Sequence, residues 1–285
     1  KRQKLAWRTP STDSESLLDA YGDAGEIIRG SDLTIAVLGI DRTIEREGQD
    51  RSTIELPEDQ QIFIEEAYKA NPNTVVVLVA GSSLAINWID QNIPAVLDAW
   101  YPGEQGGTAV AEALFGDYNP GGRLAVTFPK SVGQIPFAFP FKPGSDESSS
   151  TSVYGVLYPF GHGLSYTTFS YGDLKISPLR QGVQGDINIS CKIKNTGKIK
   201  GDEVVQLYLR DEVSSVTTYT KVLRGFERIS LEAGEEQMVH FRLRPQDLGL
   251  WDKNMNFRVE PGKFKVMIGS SSTDIRLHGR FEIAP

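Results

Sequence analysis

Cysteine is nearly absent from this chain of 285 residues, with Cys191 standing alone, and histidine is scarce, with three. One thiol forms no intrachain disulfide and builds no cysteine-based metal site. His162, His240 and His278 lie far apart in sequence, which argues against a histidine-rich metal centre as well. Long apolar runs are missing: none approaches the roughly 18 residues of a membrane span. Positive charge is in deficit. Thirty Lys and Arg against 37 Asp and Glu leave a net charge of −7, without the basic cluster that holds nucleic acid. The N-terminus, from Lys1 to Trp7, lacks a starting Met and an apolar h-region. It does not read as a signal peptide, and its abrupt basic start is expected of a processed chain or a piece of a longer one. What is present, 39% hydrophobic and 24% charged residues, suits globular domains, and the length suits two of them.

Along the first 130 residues, helical and extended patterns alternate. Leu17, Leu18, Ala20, Tyr21, Ala24, Ile27 and Ile28 carry helical spacing within 11–29. The apolar run 33–38 predicts a strand, and Leu56-Pro57-Glu58-Asp59 predicts a helix start that runs to about Lys69. Further strands are expected at 74–79, 95–100 and 123–128, with a helix over 108–115. Continuous β-branched runs predict burial on both faces, as in a parallel sheet covered by helices. The fold class expected is therefore α/β, an open, mostly parallel sheet sandwiched by helices, over residues 1–130.

From 131 to 170 prolines punctuate the chain and aromatics are dense, including Phe137, Phe139, Phe141, Tyr154, Tyr158, Phe160, Tyr166 and Phe169. A disordered linker is poor in aromatics, so this segment reads as an ordered strap packed on the domains. Over 171–285 the period becomes two: Ile187, Ile189, Cys191 and Ile193, then Val205, Leu207 and Leu209, then Val239, Phe241 and Leu243, then Phe264, Val266 and Ile268. Short alternating strands between turns predict an antiparallel β-sandwich, with Cys191 on the inward register as a small core hydrophobe.

Among chemistry-bearing stretches, the charged loop Asp41 to Arg51 leaves a strand that ends at Gly39. Ligands of open α/β sheets bind beyond the carboxyl ends of the strands, so Glu45 and Glu47 are candidates for a proton-transfer group. Two glutamates so close in sequence do not flank a substrate from opposite faces unless the loop folds sharply; one can serve as acid, while the other pairs with Arg42, Arg46 or Arg51. The glycines of Gly103-Glu104-Gln105-Gly106-Gly107 lack the spacing and the Lys of phosphate loops, and read as a close helix start. His162 between two glycines reads as a packing histidine, and Ser82-Ser83 lacks a nucleophile elbow.

Four ordered motifs resemble family 3 glycoside hydrolases: Ile44-Glu45-Arg46-Glu47-Gly48-Gln49-Asp50-Arg51 with Leu56-Pro57, Trp100 to Gly107, Gly116 to Leu124, and Tyr158 to Thr167. Gly201 to Tyr208 and Leu223-Arg224-Gly225-Phe226 resemble that family's fibronectin type III-like domain. The resemblance implies a retaining, exo-acting β-glucosidase or β-xylosidase, without metal or cofactor, acting on a β-linked oligosaccharide or aryl glycoside. It implies that the general acid/base is Glu47, with Glu45 next in line, that Asp50 and Arg51 support the loop, and that the nucleophile lies on a (β/α)8 barrel which this sequence lacks. The partner expected is that N-terminal barrel portion of the same enzyme, and the chain alone is expected to be inactive. The resemblance leaves room for a homo-oligomer and suggests an extracytoplasmic (periplasmic or secreted) location. The alternative is a non-catalytic carbohydrate-binding or scaffolding module.

Overall fold

A computed structural model describes residues 18, 22–136, 139–145 and 153–285. They fall into two compact units, 1–110 with 130–132, and 111–129 with 133–285.

The first unit is built on a parallel sheet of three strands, β1 (Thr34–Gly39), β2 (Thr74–Val79) and β3 (Ala95–Asp98), in the order β1-β2-β3. Helices α1 (Ala24–Arg29), α2 (Glu58–Ala70) and α3 (Asn87–Asn92) alternate with the strands. The expected helix over 11–29 is seen as helical Leu18 and α1; 11–17 and 19–21 lie outside the described residues. Proline precedes α2, Glu58 and Asp59 complement its positive N-terminus, and Asn71 ends it. Helix α3 follows no clear apolar period, and the sequence gives little sign of it.

Burial on both faces holds for β2, where Val76, Val77 and Leu78 are all within 2% of full burial, but not for β1. There Ala36 and Leu38 are buried while Ile35 and Val37 are 39% and 60% exposed. Strand β1 stands at the sheet edge, and its face bearing Ile35 and Val37 is not covered by a helix among the described residues. The expected strand 123–128 is also absent. Leu124 instead donates to the His162 carbonyl (2.8 Å) and accepts from the Gly161 amide (2.8 Å), and Phe128 makes a single bridge to Tyr158. Its extended backbone is satisfied by the Pro- and aromatic-rich segment rather than by a ladder, which is why a strand-like pattern produces no strand.

Helix α4 (Gly106–Phe115) crosses from the first unit to the second along the chain. The second unit contains a sandwich of a three-stranded sheet, β4-β6-β9, and a five-stranded sheet, β5-β13-β12-β7-β8. The strands are β4 (Phe169–Ser177), β5 (Arg180–Gly182), β6 (Ile187–Asn195), β7 (Gly201–Asp211), β8 (Val222–Leu231) and β9 (Glu236–Leu243). After the short helix α5 (Pro245–Leu248) and the hairpin β10-β11 (Leu250–Trp251, Phe257–Arg258) come β12 (Gly262–Gly269) and β13 (Ile275–Ala284). All pairings in the two sheets are antiparallel except β5 with β13. The core is made of the residues that alternation selects: Ile187, Ile189, Cys191 and Ile193 face Val205, Leu207, Phe264, Val266 and Ile268, all essentially buried. Burial pushes the Cys191 thiol up to about 11, as expected of an inert core residue.

On its outer side β7 is buried as well, because the Pro- and aromatic-rich segment covers it. Gln206 donates to the Gly161 carbonyl (3.1 Å), the Tyr208 hydroxyl donates to Gln206, and Phe139 stands edge-on to Tyr208 while stacking on Phe160 (4.7 Å). His162 stacks on Tyr158 at 5.2 Å, a packing role as the sequence suggests.

Candidate active site

The three strands of the first unit point their carboxyl ends in one direction, and the charged loop opens there. Gly39 ends β1 with φ +150, and a Cβ at this position would lie 1.9 Å from the Val79 carbonyl oxygen. Only glycine lets the two strand ends approach so closely. The Gly39 amide and carbonyl are both satisfied by the Gln60 side chain on α2, at 2.8 Å each. Ile40 follows, buried, its amide on the Val79 carbonyl (3.1 Å) and its carbonyl accepting the Tyr101 hydroxyl (3.1 Å). The Tyr101 ring lies over Gly81, where a Cβ would clash at 2.5 Å. Tyr101 thus ties the ends of β1, β2 and β3 together.

Beyond Ile40 the loop builds itself from local bonds. Asp41 Oδ1 accepts the Thr43 amide (2.8 Å) and hydroxyl (2.6 Å), which holds its carboxyl below the usual carboxylate range. Its carbonyl accepts the Ile44 and Glu45 amides. Arg46 and Gln49 then bridge through a tight turn, Gln49 amide to Arg46 carbonyl at 2.9 Å, with Gly48 at φ +75. A positive φ at the third residue is the type II arrangement that favours glycine there. Glu47 occupies the second position of this turn and is exposed.

The two glutamates therefore have different surroundings. Glu45 Oε2 accepts from Arg51 Nε (2.5 Å) and from the Ser82 hydroxyl (2.8 Å), and Ser82 in turn accepts from Arg51 Nη2 (2.9 Å). The Arg51 side chain is 9% exposed and that of Glu45 27%. Arg51 Nη1 is buried with no partner among the described residues. Asp50 is exposed.

At the end of β3, Asp98 has one oxygen on the Trp100 amide (3.2 Å) and the other buried with no partner among the described residues. Burial raises its carboxyl above the ordinary range. Trp100 adopts φ +51, a left-handed conformation uncommon outside glycine. Gly106 opens α4 against Pro102, where a Cβ would meet the ring at 2.5 Å, so the glycines of this stretch serve a close helix start. Among the described residues no group of three or more His, Cys, Asp or Glu could hold a metal ion. Gln60 and Asp98 escape the sequence reading, which meets Ser82 only as a rejected nucleophile and Tyr101 only as part of a motif. Only Tyr101, inside an aromatic-Pro-Gly run, carries a local signal.

An α/β layer with a charged loop at its strand ends, followed by a fibronectin-like sandwich, is the architecture that the motifs of the sequence lead one to expect. Comparison with known proteins agrees. The family model described as Glycosyl hydrolase family 3 C-terminal domain matches residues 14–166, and that of the Fibronectin type III-like domain matches 203–272. The chain belongs to glycosyl hydrolase family 3. It is 40% identical to a β-xylosidase of Formosa agariphila over 89% of this chain and 36% of that protein. It is 37% identical to a periplasmic β-glucosidase of Salmonella typhimurium over 92% of this chain and 35% of that one. Among solved structures, a β-glucosidase from Erythrobacter marinus superposes with a TM-score of 0.88 at 37% identity, covering 93% of this chain and 36% of that chain. A β-glucosidase from Listeria innocua in complex with glucose gives 0.86 at 28% identity, over 95% of this chain and 39% of its own. The chain thus spans about a third of the length of the relatives it matches.

Proposed function

We propose that this chain supplies the general acid/base of a retaining, exo-acting β-glycosidase, with Glu47 as the proton-transfer residue and Glu45 as its anchor. The observation that carries the assignment is the unequal setting of the two carboxylates. Oε2 of Glu45 already accepts two hydrogen bonds, from Arg51 and Ser82, which tie this side chain into the framework of the loop. Glu47 stands exposed at the turn, open to a leaving-group oxygen. Arg51 then supports the loop, with Asp50 beside it.

In a retaining mechanism the acid protonates the departing oxygen while a second carboxylate attacks the sugar, and the same residue later activates water. This reading places the nucleophile on an N-terminal barrel portion of the same enzyme and the substrate among β-linked oligosaccharides or aryl glycosides. The names of the relatives, β-xylosidase and β-glucosidase, support that class. We further assign 1–130 to an α/β sandwich domain whose open, mostly parallel sheet is covered by helices, 131–170 to the strap and 171–285 to the fibronectin-like sandwich. An extracytoplasmic location is supported by the periplasmic relative, and among the described residues no helix is long and apolar enough to cross a membrane. Assembly as a homo-oligomer fits the same reading.

The test is a leaving-group series on the complete enzyme. Glu47→Gln should cut kcat/KM by about 10²- to 10⁴-fold for aryl glycosides with basic leaving groups and spare activated ones. Glu45→Gln, which only loosens the anchor, should show at most about a tenfold dependence on the leaving group. The reverse pattern would overturn the assignment.

A further inference from the structure

Ser82 has no role in the chemistry described above, yet it is where the loop meets the rigid sheet. We infer that Ser82 is a positioning residue: its hydroxyl fastens the acid/base loop to the end of β2 and thereby sets where the turn presents Glu47. The inference rests on the reading of Glu47 as proton donor.

A serine hydroxyl has one hydrogen to give and lone pairs to accept with. Here the hydrogen goes to Glu45 Oε2 at 2.8 Å, and a lone pair accepts Arg51 Nη2 at 2.9 Å. With Arg51 Nε on Glu45 Oε2 at 2.5 Å, the three side chains close a ring. Ser82 lies 37 residues from Glu45 and 31 from Arg51, so the ring cross-links segments the backbone leaves far apart. Its own place is fixed from both sides. Gly81 before it lies under the Tyr101 ring, and past it the Ala85 amide bonds the Ile54 carbonyl (2.9 Å), three residues beyond Arg51. The rest of the loop is held mainly by its own short-range bonds, which preserve its shape but do not anchor it to the sheet.

Losing the hydroxyl has a definite consequence. Among the described residues Arg51 Nη1 already lacks a partner, so removing the acceptor for Nη2 leaves a second guanidinium nitrogen unpaired in a side chain only 9% exposed. A buried donor without an acceptor is costly, so Arg51 must move, and Glu45 with it. Threonine keeps the hydroxyl and should keep the ring.

Two readouts test this, with Ser82→Ala and Ser82→Thr. In the full 285-residue chain, amide exchange followed by NMR should be about tenfold faster at Glu45 and Gln49 in Ser82→Ala, unchanged in β1 and β2, and close to the parent in Ser82→Thr. In the complete enzyme, Ser82→Ala should lower kcat/KM about tenfold for basic leaving groups and less than about twofold for dinitrophenyl glycosides, with KM nearly constant. Ser82→Thr should restore both. Unchanged loop exchange, or an equal loss on both substrates, overturns the positioning role. Faster loop exchange combined with a Glu47→Gln variant blind to the leaving group would sink the proton-donor reading and leave only a mechanical clamp. Unchanged exchange with a normal Glu47→Gln effect would sink the Ser82 role alone.

Discussion

Two carboxylates two residues apart end in different environments because one tight turn separates them. Gly48 at φ +75 folds the backbone so that Glu45 turns toward Arg51 and Ser82 while Glu47 rides on the turn. Replacing Gly48 with alanine should disfavour this turn by about 1 kcal/mol. The expected outcome is faster amide exchange at Gln49 with little change in global melting. Elsewhere a half-buried carboxyl offers a pH test. Burial, reinforced by Glu260, pushes Asp211 up to about 6, against about 3.9 for a free aspartate. Between those values the folded state binds the proton more tightly than the unfolded one, so through this group stability rises as pH falls from 7 toward 4. Asp211→Asn should remove that slope and raise stability at pH 7 by about 1 kcal/mol, after allowing for the group's partial solvent access. Urea titrations at pH 7 and pH 5 check it, and an unchanged slope would show that Asp211 ionises freely.

At the scale of elements, the second unit is fastened by a buried ion pair. Arg123, in the segment after α4, donates to Glu203 on β7 at 3.0 Å, with side chains 7% and 3% exposed. The Tyr171 hydroxyl on β4 gives Glu203 a second bond at 2.7 Å, and burial followed by the Glu203 charge pushes that hydroxyl up. Arg276 covers the Tyr171 ring at 4.8 Å. Removing one partner leaves the other charge buried, so Glu203→Gln should cost about 3–5 kcal/mol, and Arg123→Met with Glu203→Leu less than the sum of the single changes. Denaturant unfolding measures both; a loss below about 1 kcal/mol for Glu203→Gln would mean that the pair is water-screened. This fastening was not legible beforehand, because an Arg and a Glu 80 residues apart carry no local pattern. The sandwich core was legible, since a period of two places Ile187, Ile189, Cys191 and Ile193 on one face whatever the partner sheet does. The same logic misjudged β1, where an apolar run reads alike in a central and an edge strand. It also misjudged 123–128, where a strand pattern is spent on the strap. The candidate-site loop could be located from Gly39 and the strand before it, but not the unequal settings of its two glutamates. Those depend on the Gly48 turn and on Ser82, a residue type too common in loops to carry a signal.

Taken whole, the molecule joins an α/β unit that carries the candidate site to a sandwich whose charged groups around Glu203 are bonded to one another. On the proposed division, with the proton donor here and the nucleophile on a barrel portion, a chain spanning about a third of its relatives' length should not turn over substrate alone. Aryl β-glucoside and β-xyloside assays on the 285-residue chain are expected to stay at background, with clear turnover arguing for a complete site within it. The most direct measurement is azide rescue in the complete enzyme, using a dinitrophenyl glycoside that forms the glycosyl-enzyme without acid assistance. Without the base, the intermediate waits for a nucleophile that needs no deprotonation. Glu47→Ala should therefore be accelerated by azide about tenfold or more and yield the β-glycosyl azide, whereas Glu45→Ala should not respond. Rescue of Glu45→Ala with none for Glu47→Ala would contradict the account.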